Sequence, residues 1–221
     1  MMVWMAQDHP IFIESILRIR AALGDTGLPP LQQQVLERLV HSSGDLSLGA
    51  LLQFSDGACE LGLEALKQGA SILTDTAMAA AAVAPMAQRT LGTGVHTVLE
   101  WAPDAAPSGS TRTAAGMAQA WRTLAVAPAA PVVPIGSAPT ALEVLLKLVA
   151  AGALAPSLVI GMPVGFVGVS ESKRRLEASG LPQIRLDGSR GGAGLAAAAV
   201  NALLRASMIS GGESVWDQGR R

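Results

Sequence analysis

Apolar and polar positions follow two different periods along the chain, and the change falls near residue 70. From residue 9 to residue 69 the apolar residues recur at helical spacing. We expect Ser55 or Asp56 to be the N-cap of the third helix and Gly69 to end it. The pattern predicts three helices, in HPIFIESILRIRAAL, PPLQQQVLERLVHSS and SDGACELGLEALKQGA.

Beyond residue 70, short apolar runs alternate with helical segments. Five runs are apolar at successive positions, as buried parallel strands are: SILTD (71–75), VHTVLE (95–100), PVVPI (131–135), SLVIG (157–161) and QIRLD (183–187). Most are followed by a helical pattern such as TRTAAGMAQAWRTLA or GGAGLAAAAVNALLRAS. The repeat of strand, glycine-bearing turn and helix predicts a doubly wound α/β fold behind helical N-terminal segments. Pro134, inside the third run, is expected to mark a bulge or a strand end.

The composition favours one globular unit. The chain has 221 residues, 50% of them hydrophobic and 15% charged, with a net charge of −1. This apolar content suffices for a sizeable core. The near-zero charge argues against nucleic acid or an anionic membrane as a partner. We predict one domain over residues 9–207 and a flexible tail over 208–221, with a surface loop at 101–110.

Two features bear on the compartment. The single cysteine, Cys59, excludes an intramolecular disulfide and fits the reducing cytoplasm. The N-terminus MMVWMAQDHP lacks the basic start and apolar run of a secretory signal.

Residues 148–170 carry no charge and are long enough to span a bilayer. Because Pro156 and Pro163 interrupt this stretch, we interpret it as a buried strand with flanking turns rather than a membrane helix.

Candidate chemistry lies in the turns that follow the strands, because ligands of open parallel sheets bind beyond the carboxyl ends of the strands. These turns are DTAM (75–78), GSAPTAL (136–142), GMPVGFVGVSESK (161–173) and GSRGGAG (188–194). Several lead into helix N-termini, whose free N–H groups bind anions. Together they could hold a ligand with several carboxylates or phosphates, although a tight strand-to-helix turn explains any one of them alone.

The usual motifs of other site classes are missing. The glycines of GMPVGFVG do not fit G-x-G-x-x-G, and there is no phosphate-binding G-x-x-x-x-G-K-[ST]. No G-x-S-x-G nucleophile elbow occurs. His9, His41 and His96 are far apart and no C-x-x-C exists, so we expect no metal site.

Four residues allow more than one interpretation from the local pattern. His41 closes the second helix and would serve as a C-terminal capping imidazole. Ser15, on an apolar helix face, would be a core hydroxyl. Arg112 opens a helix, where a cation is unfavourable, so it points at an anion or at solvent. Cys59 is interpreted as a small buried hydrophobe.

Taken together, the motifs resemble the precorrin-8X methylmutase family and its cobalt-precorrin-8 counterpart. The resemblance runs from about His9 to Ser207 and rests on an ordered set: HPIFIESILRIR, ERLVHSSGD, LKQGASILTDTAM, STRTAAG, IGSAPTAL, GMPVGFVGVSESK and GSRGGAGLAAAAVNALL. It implies a flavodoxin-like, three-layer α/β/α fold with a parallel five-stranded sheet, and a homodimer.

The resemblance also implies a reaction. In this family a methyl group of the contracted tetrapyrrole migrates from C11 to C12, formally as a [1,5]-sigmatropic shift. The product is hydrogenobyrinate, or cobyrinate when cobalt is present. No redox cofactor and no protein-bound metal are needed.

Site residues follow by matching motifs. His41 corresponds to the family's catalytic histidine, which gives a proton to the ring C region. An imidazole with an ordinary pKa near 6.5 can donate and recover a proton near neutral pH. Ser15 matches a serine that contacts the substrate, and Arg112 an arginine assigned to a substrate carboxylate. The remaining predicted substrate-binding residues lie in the glycine-rich turns: Gly136, Ser137, Gly161, Gly165, Phe166, Gly191 and Gly192.

The match to the family is incomplete in the glycine-rich turns that are expected to form the substrate-binding rim at the carboxyl ends of the strands. Ser137 stands where the family usually has asparagine, and Ala193 where it has serine, so each change reduces hydrogen bonding there.

We keep two alternatives to the enzyme: a corrinoid or tetrapyrrole carrier without turnover, and a nucleotide-binding flavodoxin-like domain. The missing phosphate motifs count against the second. Nothing in the sequence indicates whether the substrate carries cobalt.

Overall fold

The computed structural model describes residues 9–126 and 129–209. Eight α-helices and six strands lie within these ranges. In chain order they are α1 (Pro10–Leu23), α2 (Pro30–Ser43), β1 (Leu52–Phe54), α3 (Ala58–Lys67), β2 (Ile72–Thr74), α4 (Ala77–Thr90), β3 (Val95–Thr97), α5 (Arg112–Leu124), β4 (Val132–Ile135), α6 (Pro139–Ala150), β5 (Leu158–Gly161), α7 (Val169–Ala178), β6 (Gln183–Leu186) and α8 (Ala193–Ala206). The predicted tail, from residue 210 onward, lies outside the described residues.

The strands form one sheet in the order β1-β6-β5-β4-β2-β3. Strands β2 to β6 are mutually parallel, and β1 runs antiparallel to β6, with Leu52 opposite Leu186. The prediction of a wholly parallel, five-stranded sheet was therefore wrong. The five parallel strands occupy the predicted segments. Strand β1 was missed because it has a polar residue, Gln53, at its centre and is defined by its pairing with a distant strand.

Helices cover both faces of the sheet and make a three-layer α/β architecture. On one face, α3, α4 and α8 pack on the strands; α2 packs on α8, and α1 on α2. On the other face, α5, α6 and α7 pack side by side. Successive residues of a strand serve the two layers: Val132 belongs to the first core cluster and Val133 to the second. This explains why β4 and β5 are apolar at every position, whereas β6 has the polar residues Gln183 and Arg185 at alternate positions.

Pro134 interrupts the hydrogen-bond ladder in the middle of the sheet. Val132 donates its N–H to the carbonyl of Ser71, beside β2. The N–H two residues later would point the same way, but proline has none. The pairing of β4 with β2 is accordingly limited to Ile72 opposite Val132, whereas four pairs join β4 to β5. The expectation that Pro134 marks a bulge or a strand end was wrong: β4 continues through Pro134 to Ile135, and Pro134 pairs in regular register with Ile160 of β5.

Two local predictions were wrong. Neither Ser55 nor Asp56 caps α3: the N-cap is Gly57, at φ 64°. Ser55 instead exchanges hydrogen bonds with Gln183, its Oγ accepting from the Gln183 N–H at 2.9 Å. The predicted helix TAMAAAAVA continues through Pro85 to Thr90. Among the described residues, no helix has the length and apolarity needed to cross a membrane.

Candidate active site

His41 lies in the last turn of α2, and its ring contacts Ser15 of α1. The distance between Ser15 Oγ and His41 Nδ1 is 2.8 Å. The C-terminus of α2 is closed by Gly44, at φ 69°, which donates its N–H to the carbonyl of Val40. His41 is therefore not needed as a cap, and its side chain serves the contact with α1. The structure thus brings together two predicted site residues that are 26 positions apart.

A buried ion pair fixes the packing of α1 on α2. Glu37 is fully buried and accepts a hydrogen bond from Arg20 Nε at 3.0 Å and one from Gln33 Nε2 at 2.8 Å. Because Glu37 lies one turn before His41 and Arg20 lies further along α1, the pair holds Ser15 in register with the imidazole. A buried carboxylate with several donors is a rigid anchor.

The surroundings of His41 disfavour its protonated form. Burial and, to a smaller extent, the positive charge of Arg38 lower the pKa of His41 below 6.5. The ring also makes an edge contact with Phe12, with centroids 5.0 Å apart and planes at 81°. Ser15 can donate to Nδ1 of the neutral ring or accept from it in the protonated ring. Among the described residues, the hydrogen bond of the His41 ring is the one that Nδ1 makes with Ser15.

Asp75 ties the end of β2 to the start of α6. Its side chain is fully buried, and Oδ2 accepts hydrogen bonds from the backbone N–H of Ser137 at 2.6 Å and of Ala138 at 2.7 Å. Burial raises the pKa of Asp75, although these hydrogen bonds act in the opposite direction. An internal carboxylate thus occupies the anion-binding position that free N–H groups at a helix N-terminus provide.

The glycine-rich turns after β4, β5 and β6 are bonded to one another. Val164 donates to the carbonyl of Gly136, Gly165 to that of Ser189, and Gly192 to that of Met162. A Cβ on Gly136 would lie 2.5 Å from Cα of Ala193, and one on Gly191 would lie 2.0 Å from the carbonyl oxygen of Met162. The predicted residues Gly136, Gly165, Gly191 and Gly192 are therefore neighbours, and close backbone packing alone accounts for glycine at 136 and 191.

The other predicted site residues are more dispersed. Gly161, in β5, leaves room for the Leu176 side chain and faces α7. Phe166 is 95% exposed at the tip of the turn before α7. Ser137 is exposed, and Arg112 is exposed with its Nε donating to the carbonyl of Pro103 at 2.8 Å. None of these four is joined to His41 by a contact among the described residues.

An ion pair connects the two groups of predicted residues. Asp45, which follows α2, pairs with Arg190 in the turn that leads to α8. Arg190 directly precedes Gly191 and Gly192. The same turn is held by Lys173, whose buried Nζ donates to the carbonyls of Gly188 at 2.8 Å and Arg190 at 2.6 Å. The segment after His41 is thereby attached to the rim of the sheet.

Sequence reasoning missed the roles of Asp75, Lys173 and Arg38. Asp75 and Lys173 were visible as polar residues in the turns marked as candidate sites, but their partners lie 62 and 15 or more positions away. Arg38 lies one turn before His41 on the same helix face, a spacing that could have indicated the interaction.

In the described ranges, no three His, Cys, Asp or Glu side chains are placed to hold a metal ion.

Comparisons with known proteins agree on one family. The sequence profile of CbiC, precorrin-8X methylmutase, matches residues 10–206. The chain is 38% identical to a cobalt-precorrin-8 methylmutase of Synechocystis sp., covering 89% of this chain and 95% of that one. It is also 38% identical to a precorrin-8X methylmutase of Pseudomonas aeruginosa, with 92% and 98% covered. The crystal structure of precorrin-8X methylmutase from Thermus thermophilus superposes with a TM-score of 0.82 at 38% identity, over 92% of this chain and all of that chain.

Proposed function

The chain belongs to the precorrin-8X methylmutase family, and on that basis we propose that it moves a methyl group from C11 to C12 of a contracted tetrapyrrole, with His41 as the general acid. It is an isomerase of cobalamin biosynthesis. The observation that carries the role of His41 is its contact with Ser15, which fixes one ring nitrogen and leaves Nε2 for a ligand.

The proton transfer follows from this geometry. In the protonated ring, Nδ1–H donates to Ser15 and Nε2–H can be donated to the ring C region of the macrocycle. Protonation draws electrons from the conjugated system and favours migration of the methyl group. Because substrate and product are isomers, the proton is returned to His41 after the shift. Such transfer typically contributes about 10²- to 10⁴-fold to the rate.

We propose that the rim and its turns bind the carboxylates of the substrate. Uncapped N-termini support this role: neither α7, which begins after Gly168, nor α8, which begins after Gly192, has a side chain bonded to its first N–H groups. Phe166 offers an exposed ring to the macrocycle. Arg112, Gly136, Ser137, Gly161, Gly165, Gly191 and Gly192 complete the proposed substrate-binding set.

Three further assignments belong to the proposal. The order of the five parallel strands, 2-1-3-4-5 when they are numbered among themselves, is that of flavodoxin-like folds. The family resemblance supports a homodimer, and the single, fully buried cysteine supports a cytoplasmic location. The family's relatives include enzymes named for the cobalt-free substrate and for the cobalt-containing one, so both substrates should be tested.

Absorption spectroscopy tests the reaction. Purified protein is mixed anaerobically with precorrin-8X and, separately, with cobalt-precorrin-8, and the visible bands are followed to those of the product. We expect His41→Asn to reduce kcat about 10²- to 10⁴-fold while the product dissociation constant changes little. Ser15→Ala should cost about 5-fold, which corresponds to one hydrogen bond of ~1 kcal/mol.

A second histidine provides the control. His96, in β3, pairs with Glu100 at 3.2 Å and makes an edge contact with Trp101, neither of which belongs to the proposed site, so His96→Asn should retain the wild-type rate. Full activity of His41→Asn would contradict the assignment of the acid. Wild-type protein that binds the pigment without converting either substrate would be a tetrapyrrole carrier instead.

A further inference from the structure

The segment that carries His41 lies outside the apolar core. Val40 and Leu48 are buried in the first core cluster, but no residue from 41 to 47 is buried. The position of this segment relative to the sheet therefore depends on polar contacts. These contacts bear on the proposed reaction, because a general acid must be held within hydrogen-bond reach of the atom that it protonates.

Asp45 is bonded both to its own segment and to a distant turn. Its Oδ1 accepts hydrogen bonds from the N–H of Ser47 at 2.9 Å and from the Ser47 hydroxyl at 2.6 Å. The Asp45 N–H donates to Oγ of Ser43 at 3.2 Å, and this hydroxyl donates to the carbonyl of Leu39 at 2.9 Å. Oδ2 accepts from the guanidinium of Arg190, in the turn between β6 and α8. Asp45 thus connects the last turn of α2 with this β6–α8 turn.

The main chain around Arg190 is held by hydrogen bonds to other elements. Lys173 of α7, which is buried, donates from Nζ to the carbonyl of Arg190 at 2.6 Å. The carbonyl of Ser189 accepts from the N–H of Gly165, in the turn after β5. The Arg190 side chain therefore projects from a fixed backbone, and its guanidinium is a fixed point for Asp45.

The Asp45–Arg190 pair is too exposed to matter much for stability. The side chain of Asp45 is 25% exposed and that of Arg190 is 51% exposed. Water screens such a pair, and its removal typically changes the folding equilibrium by less than about fivefold. The pair has a second consequence, which is geometric. It joins the segment that carries the proposed acid to the turn that is proposed to bind substrate carboxylates.

We propose that Asp45 and Arg190 are positioning residues for the methyl shift, because their ion pair fixes the separation between His41 and the β6–α8 turn. This inference rests on the proposed function. The macrocycle is anchored through its carboxylates at the glycine-rich turns, and His41 must deliver its proton to ring C. The pair sets the distance between the anchor and the acid, so it governs the rate of the reaction rather than the affinity for the ligand. A displacement of about 1 Å at the reacting groups can cost about 100-fold in rate.

Asp45→Asn isolates the charge of the pair. Asparagine is as good an N-cap as aspartate, so the bonds with Ser47 are kept while the attraction for Arg190 is lost. We expect kcat to fall about 10- to 100-fold, for whichever substrate the wild type converts, while the dissociation constant of hydrogenobyrinate stays within about twofold. Urea unfolding should show an equilibrium constant within about fivefold of the wild-type value.

Further variants test whether the two residues act as a unit. Arg190→Gln should lower kcat as Asp45→Asn does, and the double variant should be no slower than either single one. Asp45→Arg places two cations opposite one another and should also be slow. The exchanged pair, Asp45→Arg with Arg190→Asp, should be about tenfold faster than Asp45→Arg alone. A role in folding stability alone does not predict this recovery.

A second partly exposed ion pair provides the matched control. Arg175 of α7 is 63% exposed and pairs with Glu143, so this pair joins α7 to α6 rather than to the segment of His41. Arg175→Gln removes a comparable surface interaction. We expect it to leave both kcat and the dissociation constant of the product unchanged.

Wild-type kcat in both Asp45→Asn and Arg190→Gln would overturn the proposal. Weaker product binding at an unchanged kcat would also overturn it, because Arg190 would then be a ligand of the substrate rather than a positioning residue. Equal rates of Asp45→Arg and the exchanged pair would do the same. Each of these results leaves the wild-type conversion intact. A wild-type protein that converts neither substrate would instead reject the proposed function, and this inference with it.

Discussion

Replacing Gly136 with alanine is expected to force apart β4 and the first turn of α8. The added Cβ would lie 2.5 Å from Cα of Ala193, 2.6 Å from its nitrogen and 2.7 Å from the carbonyl carbon of Gly192. Ordinary contact begins at 3.4 Å, so the two backbones must separate by about 0.9 Å. All three atoms belong to the main chain, so no side-chain rotation can relieve the collision.

The expected cost follows from this rigidity. Adding a methyl group to a well-packed interior typically costs about 1–3 kcal/mol, and we expect the upper end here because a strand and a helix must shift. Gly136 has no positive φ, so the penalty is steric rather than conformational. Urea unfolding followed by circular dichroism should show a loss of about 3 kcal/mol with an unchanged m value.

Gly194 provides the matched control. It lies in the first turn of the same helix, is exposed, and a Cβ there would meet nothing within 4 Å. Gly194→Ala should stabilise the protein by about 0.5–1 kcal/mol, because alanine loses less backbone entropy in a helix. If Gly136→Ala were as stable as Gly194→Ala, the close approach at the rim would not be a rigid constraint, and the argument that glycine is required there would fail.

Three other predictions concern buried charges and the thiol. Burial lowers the pKa of Lys173 to about 8, so at this group the unfolded chain binds more protons between pH 8 and 10.5. In urea titrations, the free energy of unfolding of wild type should therefore rise with pH across that window relative to that of Lys173→Met, a difference that removes the opposite contribution of Cys59 above pH 9. Burial raises the pKa of Cys59 to about 12, so a colourimetric thiol reagent at pH 8 should react only after denaturation. Glu37→Ala should cost about 3 kcal/mol by removing the buried carboxylate to which Arg20 and Gln33 donate, and the double variant Arg20→Met/Glu37→Leu should recover much of it in the same urea assay.

The parallel part of the fold could be predicted from local patterns. A buried strand is largely apolar on both faces, and the apolar residues of each helix recur at helical spacing. Strand β1 could not, since its sequence, LQF, is not an apolar run and only the pairing with the distant strand β6 defines it. The N-cap of α3 was misassigned for a related reason. Ser55 has the chemistry of an N-cap, but its hydroxyl and N–H are used in the pairing with Gln183, which only the folded sheet brings close.

The site was predictable in its residue types more than in its contacts. The motif around His41 identified the imidazole, and the resemblance added Ser15, but neither indicated that the two side chains touch. Arg112 was assigned to a carboxylate by its motif, whereas its Nε is bonded to the carbonyl of Pro103. The Phe12 ring contacts His41 of α2 and Arg205 of α8, which come from opposite ends of the chain, so no local pattern could have shown these contacts.

Pro134 and Asp75 explain together why we assign the proposed substrate carboxylates to the N-termini of α7 and α8 rather than to that of α6. The ladder between β2 and β4 ends at Val132 because proline lacks an N–H, and this is where the chain reverses its direction of winding across the sheet. Asp75 joins the two strand ends there by taking the first N–H groups of α6. A ligand anion at that helix would have to displace a buried carboxylate. The uncapped N-termini of α7 and α8 carry no such internal carboxylate, so they are the helix ends at which the proposed substrate carboxylates meet no competing side chain.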